Sequence, residues 1–273
     1  MIPVTIKMQY NKLFIPFLLL IFWLTTANAQ RAEVGINAGG AGYMGDLNQN
    51  NPLKISGISA GAFARINFDP YWGLGLHYTY GSVQADDAKS NNAHFRDRNL
   101  NFKSNLNEIS IQGNLNFFDI SSPISKKRFT PYIYVGIGGV IFNPKGYYLG
   151  DWQIPLRTLN SENRSKIYRN YAIVIPYGAG AKYKLTENLT AFSQIGYRTT
   201  FTDYLDDVSG VYPSMPSTWG PSLNVSDRSG ESGGSPKLFN PGDQRGDFRK
   251  RDTYMFVSIG ISYTFVSQKC FTF

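Results

Sequence analysis

The chain has one cysteine, Cys270, and two histidines, His77 and His94, in 273 residues. A single cysteine cannot close an internal disulfide, so no covalent staple holds the fold. Two histidines far apart in sequence, with no second cysteine, leave no zinc-ligand pattern. Charge is also scarce: Asp, Glu, Lys and Arg make up 17% of residues. The net charge is +8, falling to +6 once Lys7 and Lys12 leave with the leader described below. The basic residues are scattered through turns and loops and form no helix or stripe, which argues against a nucleic-acid surface. After residue 23 there is no run of about 18 apolar residues, so no transmembrane helix is expected there.

What is present points elsewhere. Aromatic residues reach 15%, there are 27 glycines, and mean hydropathy is only −0.26 although 42% of residues are hydrophobic. That mixture suits strands that are apolar on one side only. The N-terminus carries Lys7 and Lys12, the apolar run Leu13 to Trp23, and the small-residue site Ala27-Asn28-Ala29. This is the pattern of a secretory signal peptide over 1–29, with the mature chain beginning at Gln30. No cysteine follows the site to take a lipid anchor.

The mature chain alternates with period two. Ile58, Ala60, Ala62, Ala64, Ile66 and Phe68 share one face, while Ser59, Gly61, Phe63, Arg65 and Asn67 share the other. Trp72, Leu74, Leu76, Tyr78 and Tyr80 alternate with Gly73, Gly75, His77, Thr79 and Gly81. Ile109, Ile111, Leu115 and Phe117 alternate with Ser110, Gln112, Asn114 and Asn116. Similar patterns begin near Glu33 and recur through Ile133–Ile141, Ile173–Leu185, Leu189–Phe201 and Met255–Phe265, where Met255, Val257, Ile259, Ile261, Tyr263 and Phe265 are expected to face outward. Eight such segments predict an all-β fold: an eight-stranded antiparallel transmembrane β-barrel over 30–273, each strand spanning about 9–11 residues.

The connections support this. Links at 69–71, 119–128 and 186–188 are short; those at about 46–57, 84–105, 143–170 and 202–252 are long. Strict alternation of short and long is expected of short periplasmic turns and long external loops in a bacterial outer membrane. The segment 202–252 is rich in Gly, Ser, Pro and Asp and reads as a mobile loop. Aromatics near strand ends, among them Tyr71, Trp72, Tyr80, Phe117, Phe118, Tyr183, Tyr197, Phe201 and Phe265, read as two interfacial girdles.

A barrel of eight strands holds little more than its own side chains. Glu33, Arg65, His77, Glu108, Gln112, Lys182, Gln194 and Arg198 fall on the inward face. Ion pairing among Glu33, Arg65, Glu108, Lys182 and Arg198 is expected, because an unpaired buried charge is costly. The reading is a plugged, non-enzymatic interior, with no catalytic residues, cofactor or metal assigned. His77-Tyr78-Thr79 faintly resembles the His-x-Ser of barrel lipid deacylases, but threonine replaces serine and no orienting acid is placed beside it. Gly178-Ala179-Gly180 is discounted as a dinucleotide motif, since no helix follows it. The loop acids Asp86, Asp87, Asp203, Asp206 and Asp207 carry oxygens that suit calcium, but their spacing is not that of a calcium loop, and pairing with Arg96, Arg98 or Arg198 is the simpler reading. In particular, Arg198 with Asp203, Asp206 and Asp207 is expected to latch the base of the 202–252 loop.

The last strand, Ser258 to Phe265, resembles the signal read by the outer-membrane assembly machinery, with Gly260, Tyr263 and Phe265 at its characteristic spacing. Four further segments carry a family resemblance. They are Arg98–Ser104, Thr130-Pro131-Tyr132 leading to Phe142–Lys145, Ile175–Tyr183 and, above all, Gly196–Ser209 with its Tyr-Arg-Thr-Thr-Phe-Thr-Asp-Tyr-Leu-Asp-Asp run. In this order they resemble the PorG-like outer-membrane proteins of Bacteroidetes, a family that includes a barrel component of the type IX secretion system. The resemblance implies a structural or docking role beside a periplasmic lipoprotein ring. Lys126, Lys127 and Arg128 in a short turn would then be the contacts for an acidic partner. Outer-membrane lipid and lipopolysaccharide are the other expected partners, the basic balance suiting their anionic groups. A surface barrel whose long loops bind a host or lipid partner is the alternative role.

Overall fold

A computed structural model of the chain describes residues 31–122, 125–219, 223–231, 238–247 and 249–265. The leader at 1–29, Cys270 and everything beyond Phe265 lie outside the described residues. Eight antiparallel strands close on themselves: β1 (Arg31–Met44), β2 (Ile55–Asn67), β3 (Trp72–Asp86), β4 (Asn101–Asn116), β5 (Phe129–Tyr148), β7 (Tyr171–Lys184), β8 (Leu189–Thr200) and β11 (Thr253–Phe265). Each pairs with its neighbour in the chain, and β1 closes the ring on β11 through pairs such as Ile36 with Ile261. A short β6 (Asp151–Pro155) folds back on the end of β5, and β9 (Thr218–Trp219) pairs with β10 (Leu223–Asn224). Among the described residues helix is limited to short pieces such as Ala93–Arg98 and Leu156–Leu159. No helix among the described residues is long and apolar enough to cross a membrane.

The barrel has a short-turn end and a loop end. At the short-turn end the Asp69 carboxylate accepts the amides of Tyr71 (2.7 Å) and Trp72 (2.6 Å), which tightens the β2–β3 link. This local capping is what Asp does well in turns. Outward from that end runs an apolar belt that leaves large side chains bare: Ile58 is 71% exposed, Ile259 72%, Ile36 61% and Val135 60%. On β3 the belt runs from Trp72 to Tyr80, which at strand rise and barrel tilt covers about 20 Å, close to the height of a hydrocarbon band.

The strands are longer than the span alone requires, 12 to 20 residues rather than the expected 9–11. The extra length lies at the loop end, so the third long link starts at 149 instead of 143 and opens with the β5–β6 hairpin, and the second starts at Asp87 instead of 84. Above the belt the face pattern inverts. Ser82, Gln84, Lys103, Asn105, Asn143 and Lys145 point outward, while Val83, Ala85, Phe102, Leu106, Val140 and Phe142 are buried inward. At belt level the same strands place Thr79, Glu108, Ser110, Gln112 and Asn114 inward. The hydrophobic core therefore sits at the loop end, above the belt.

Met255 corrects one expectation. It lies on the outward side of β11 but is only 2% exposed. Its methyl group packs over Gly42, and Tyr197 alongside donates to the Pro52 carbonyl at 3.4 Å, so the β1–β2 loop folds down over this part of the wall. Loop packing of this kind leaves no trace in a strand's own alternation.

Candidate functional site: a filled barrel and its cap

At belt level the interior is a stack of buried polar and charged groups, ion-paired in two layers. Near the short-turn end Arg65 reaches Glu33 at 3.3 Å, and Asn67 donates to the same carboxylate at 2.9 Å. Lys182 is buried beside them with its ammonium 5.0 Å from the Tyr132 ring centre. It forms no ion pair of its own among the described residues. Higher up, Arg198 meets Glu108 at 3.2 Å and also donates to the Gly196 carbonyl at 2.8 Å. Tyr254 adds a hydroxyl to Glu108 at 2.7 Å, and Ser110 a second at 3.0 Å. Between these layers His77 stacks on Phe63 at 5.0 Å, and its Nε2 has no hydrogen-bond partner.

Glycine makes this filling possible. A Cβ at Gly180 would strike the Tyr132 ring, and one at Gly196 would strike the Tyr134 hydroxyl. So Gly178-Ala179-Gly180 is no nucleotide motif; it belongs to a strand that makes room for two inward tyrosines of β5. The gaps left inside are small: about 40 Å³ at the short-turn end and about 10 Å³ beneath the loops.

The loop end is closed by a cap. Far from projecting freely, the described part of 202–252 turns back over the mouth, burying Leu205, Val208, Leu223 and Val225 against the core. Two arginines bind it. Arg98 pairs with Asp87 at 2.6 Å and donates to the carbonyls of Asp46 (2.9 Å) and Arg245 (2.8 Å). Arg245 pairs with Glu162 at 3.2 Å and donates to the Asp207 carbonyl at 2.8 Å. Glu162 in turn accepts the amides of Ser209 (2.8 Å) and Gly210 (3.0 Å), while Phe142, Tyr168 and Tyr204 stack in a row.

The expected latch is not formed as drawn. Arg198 points into the barrel toward Glu108, away from Asp203, Asp206 and Asp207. The physical reason is strand parity. Arg198 shares the inward face with Glu108 on the opposite wall. The buried Glu108 carboxylate needs a cation at its own level. The three acids take other donors. Ser209 serves Asp203 at 2.6 Å, Tyr168 serves Asp207 at 2.6 Å with Ser161 beside it, and Tyr43 and Val208 serve Asp206. Burial pushes the Asp207 carboxyl up to about 6, and Asp46 to about 7; burial and then neighbouring carboxylate charge raise Asp206 and Asp252 well above the usual carboxylate range.

At the other end Lys126, Lys127 and Arg128 are all exposed, with the Lys127 ammonium 4.2 Å from the Phe118 ring centre. Tyr263 and Phe265 lie exposed on the wall in an edge-on pair at 5.0 Å, and Gly260 faces inward against the Phe192 ring. Tyr71, Trp72, Phe117, Phe118, Tyr183 and Phe265 ring the short-turn end, joined by Phe129, and Phe201 lies exposed toward the loop end.

Arg245, Glu162, Asp46 and Asp252 were missed by sequence reasoning. Their signal was weak: charged residues inside loops read as solvated. The switch of alternation phase after Tyr80, where Ser82 and Gln84 take the outward positions, was the available hint that an interior continues above the belt.

The chain matches a known family model over residues 11–218. It belongs to DUF6089, a domain of unknown function. No curated protein matches this DUF6089 chain. Among solved structures it is similar to the attachment invasion locus protein Ail of Yersinia pestis, bound to the heparin analogue sucrose octasulfate, at 11% identity and TM-score 0.40 over 86% of this chain and 99% of that one. A major outer membrane protein from Thermus thermophilus is similar at 14% identity and TM-score 0.42, covering 87% of this chain and 100% of that one. The outer membrane protein OprG from Pseudomonas aeruginosa is similar at 11% identity and TM-score 0.36, covering 88% of this chain and 97% of that one.

Proposed function

We propose that this DUF6089 protein resides in a bacterial outer membrane and serves, without chemistry of its own, as a docking component of a type IX-like secretion system. The observation that carries the location is the bare apolar belt. Its area is far beyond what a soluble monomer leaves open to water. A filled interior and a covered mouth support a structural role over a channel. The secretion role rests on the resemblance over Gly196–Ser209, the point at which β8 enters the cap. In this reading the short-turn end faces the periplasm and offers Lys126, Lys127 and Arg128 to an acidic partner.

The test is deletion of the gene in its native host. Cargo bearing the type IX sorting domain should accumulate in the periplasm, and the wild-type gene should restore export. Unchanged export would remove the secretion role while leaving the location intact. Reversing the three charges to glutamate should weaken co-purification with the periplasmic ring, and unchanged co-purification rules out this turn as the contact.

One observation favours a surface-binding reading. Lys54, Lys103 and Lys145 lie outward just above the belt, near Trp152. That is the level at which phosphorylated lipid headgroups would meet the wall.

A further inference from the structure

Four aspartates converge where the cap meets the barrel rim, and none of them is ion-paired among the described residues. They come from separate places in the chain: Asp46 from the β1–β2 loop, Asp203 and Asp206 from the start of the cap, and Asp252 from its end. Carboxylate oxygens of Asp46, Asp203 and Asp252 all lie within 4.8 Å of one another. Two oxygens that share a calcium ion at about 2.4 Å each can be at most about 4.8 Å apart, so this triangle is the size one ion can fill.

A second observation concerns one of the same three carboxylates. Asp46 is 1% exposed, and its Oδ2 has no hydrogen-bond partner. Buried polar atoms are nearly always satisfied, and an orphaned carboxylate oxygen is the expensive kind of exception. Nearby cations do not supply the missing partner: Arg98 spends its charge on Asp87 and gives Asp46 only a backbone contact, and Arg245 pairs with Glu162. The other oxygens are oriented from behind. Leu205 N–H donates to Asp252 Oδ2 at 2.9 Å, Ser209 to Asp203 Oδ2 at 2.6 Å, and Asp247 N–H to Asp46 Oδ1. Each proposed ligand thus has one oxygen held by protein. Tyr43 Oη bonds Asp206 and lies 3.4 Å from Asp252 Oδ1, which holds the fourth aspartate beside the triangle. The approach is close enough that Gly45 has no room for a Cβ between Tyr43 and Asp252.

We propose that Asp46, Asp203 and Asp252 bind a calcium ion that clasps the β1–β2 loop to both ends of the cap. An all-oxygen, carboxylate-rich set selects a hard divalent cation over zinc or copper. The site lies at the loop end, and if that end faces outward, as in the proposed outer-membrane reading, calcium sites of millimolar to submillimolar affinity are useful there. The inference stands on the cap alone and is independent of the secretion role.

The experiment uses the full mature chain refolded in detergent. Calcium chloride is titrated calorimetrically after chelator treatment, and proteinase K digestion of the cap is followed in calcium and in chelator. The expected result is one saturable calcium site, with cap cleavage slowed at least tenfold in calcium. Asp46→Asn should weaken binding at least tenfold, and Asp151→Asn, on an exposed hairpin, should leave it unchanged. If Asp46→Asn fails to fold, Asp203→Asn, at a half-buried position, takes its place. Absence of saturable binding in the wild type, or binding unaltered by Asp46→Asn and Asp203→Asn, overturns the proposal.

Discussion

Arg198 is the largest fully buried side chain of the barrel. It is kept there by Glu108 at 3.2 Å, the Gly196 carbonyl and the face of Phe256 at 4.6 Å. Breaking a buried pair from one side strands a charge, which costs about 3–5 kcal/mol, whereas replacing both partners by apolar groups is often neutral. Glu108→Ala should therefore lower unfolding stability in urea by that amount, and the double change to Glu108→Met with Arg198→Met should recover most of the loss. Equal loss in both variants would show that the pair is not what stabilises this layer. Asp207 offers a pH test at the same scale. Burial first, then the Glu162 charge, raise its carboxyl to about 6 from an ordinary 3.8, against the lowering influence of Arg245, Ser161 and Tyr168. The folded cap therefore holds this proton more tightly than the unfolded chain does. Its contribution favours the fold below about pH 4 and is lost as pH rises to about 6. Cap protection in hydrogen exchange should fall across that window, and Asp207→Asn should flatten the change; a window unchanged by the substitution assigns it to other groups.

The cap is an element without much regular structure of its own, built from β9, β10, short turns and two bridging arginines. Arg245 joins three of its layers, reaching the Ser226 carbonyl at 3.2 Å, the Asp207 carbonyl at 2.8 Å and Glu162 at 3.2 Å. Arg245→Ala should open 202–252 to proteinase K selectively, with the barrel fragment surviving. Arg198→Ala, the substitution that sequence reasoning would have chosen, should instead weaken the barrel and cap together. A reversed pattern would restore the rim latch expected from the sequence. The parity of β8 explains the difference: Arg198 and Thr200 face inward, so the chain reaches the cap only after Phe201.

For the molecule as a whole, the bands along the axis make one quantitative prediction. An arginine placed on the wall at mid-belt should destabilise the barrel in lipid vesicles by about 2–4 kcal/mol, and near the interface by about 0–1 kcal/mol. Val135→Arg and Ile259→Arg lie in the belt, while Asn105→Arg lies above it among Lys103 and Lys145. The first two should lower folding stability strongly and the third hardly at all. Equal effects at the three positions would remove the belt as a membrane-embedded band.

Much of this was legible in the chain itself. Alternation with period two places Ile58, Leu76, Ile111 and Val135 on one side, because successive side chains of a strand must point to opposite faces. Eight such segments joined by alternating short and long links leave little choice but a closed antiparallel barrel, and Glu33, Arg65, Glu108, Lys182 and Arg198 take their inward places by parity alone. Which of those charges meet was not legible, since Glu108 and Arg198 sit 90 residues apart and their contact depends on how the ring closes. The cap was hidden for a similar reason. Polar, glycine-rich sequence reads as solvated because local composition carries no record of what folds over it. Only closure of the barrel brings Asp46, Asp203, Asp206 and Asp252 from distant positions into one cluster beneath the cap.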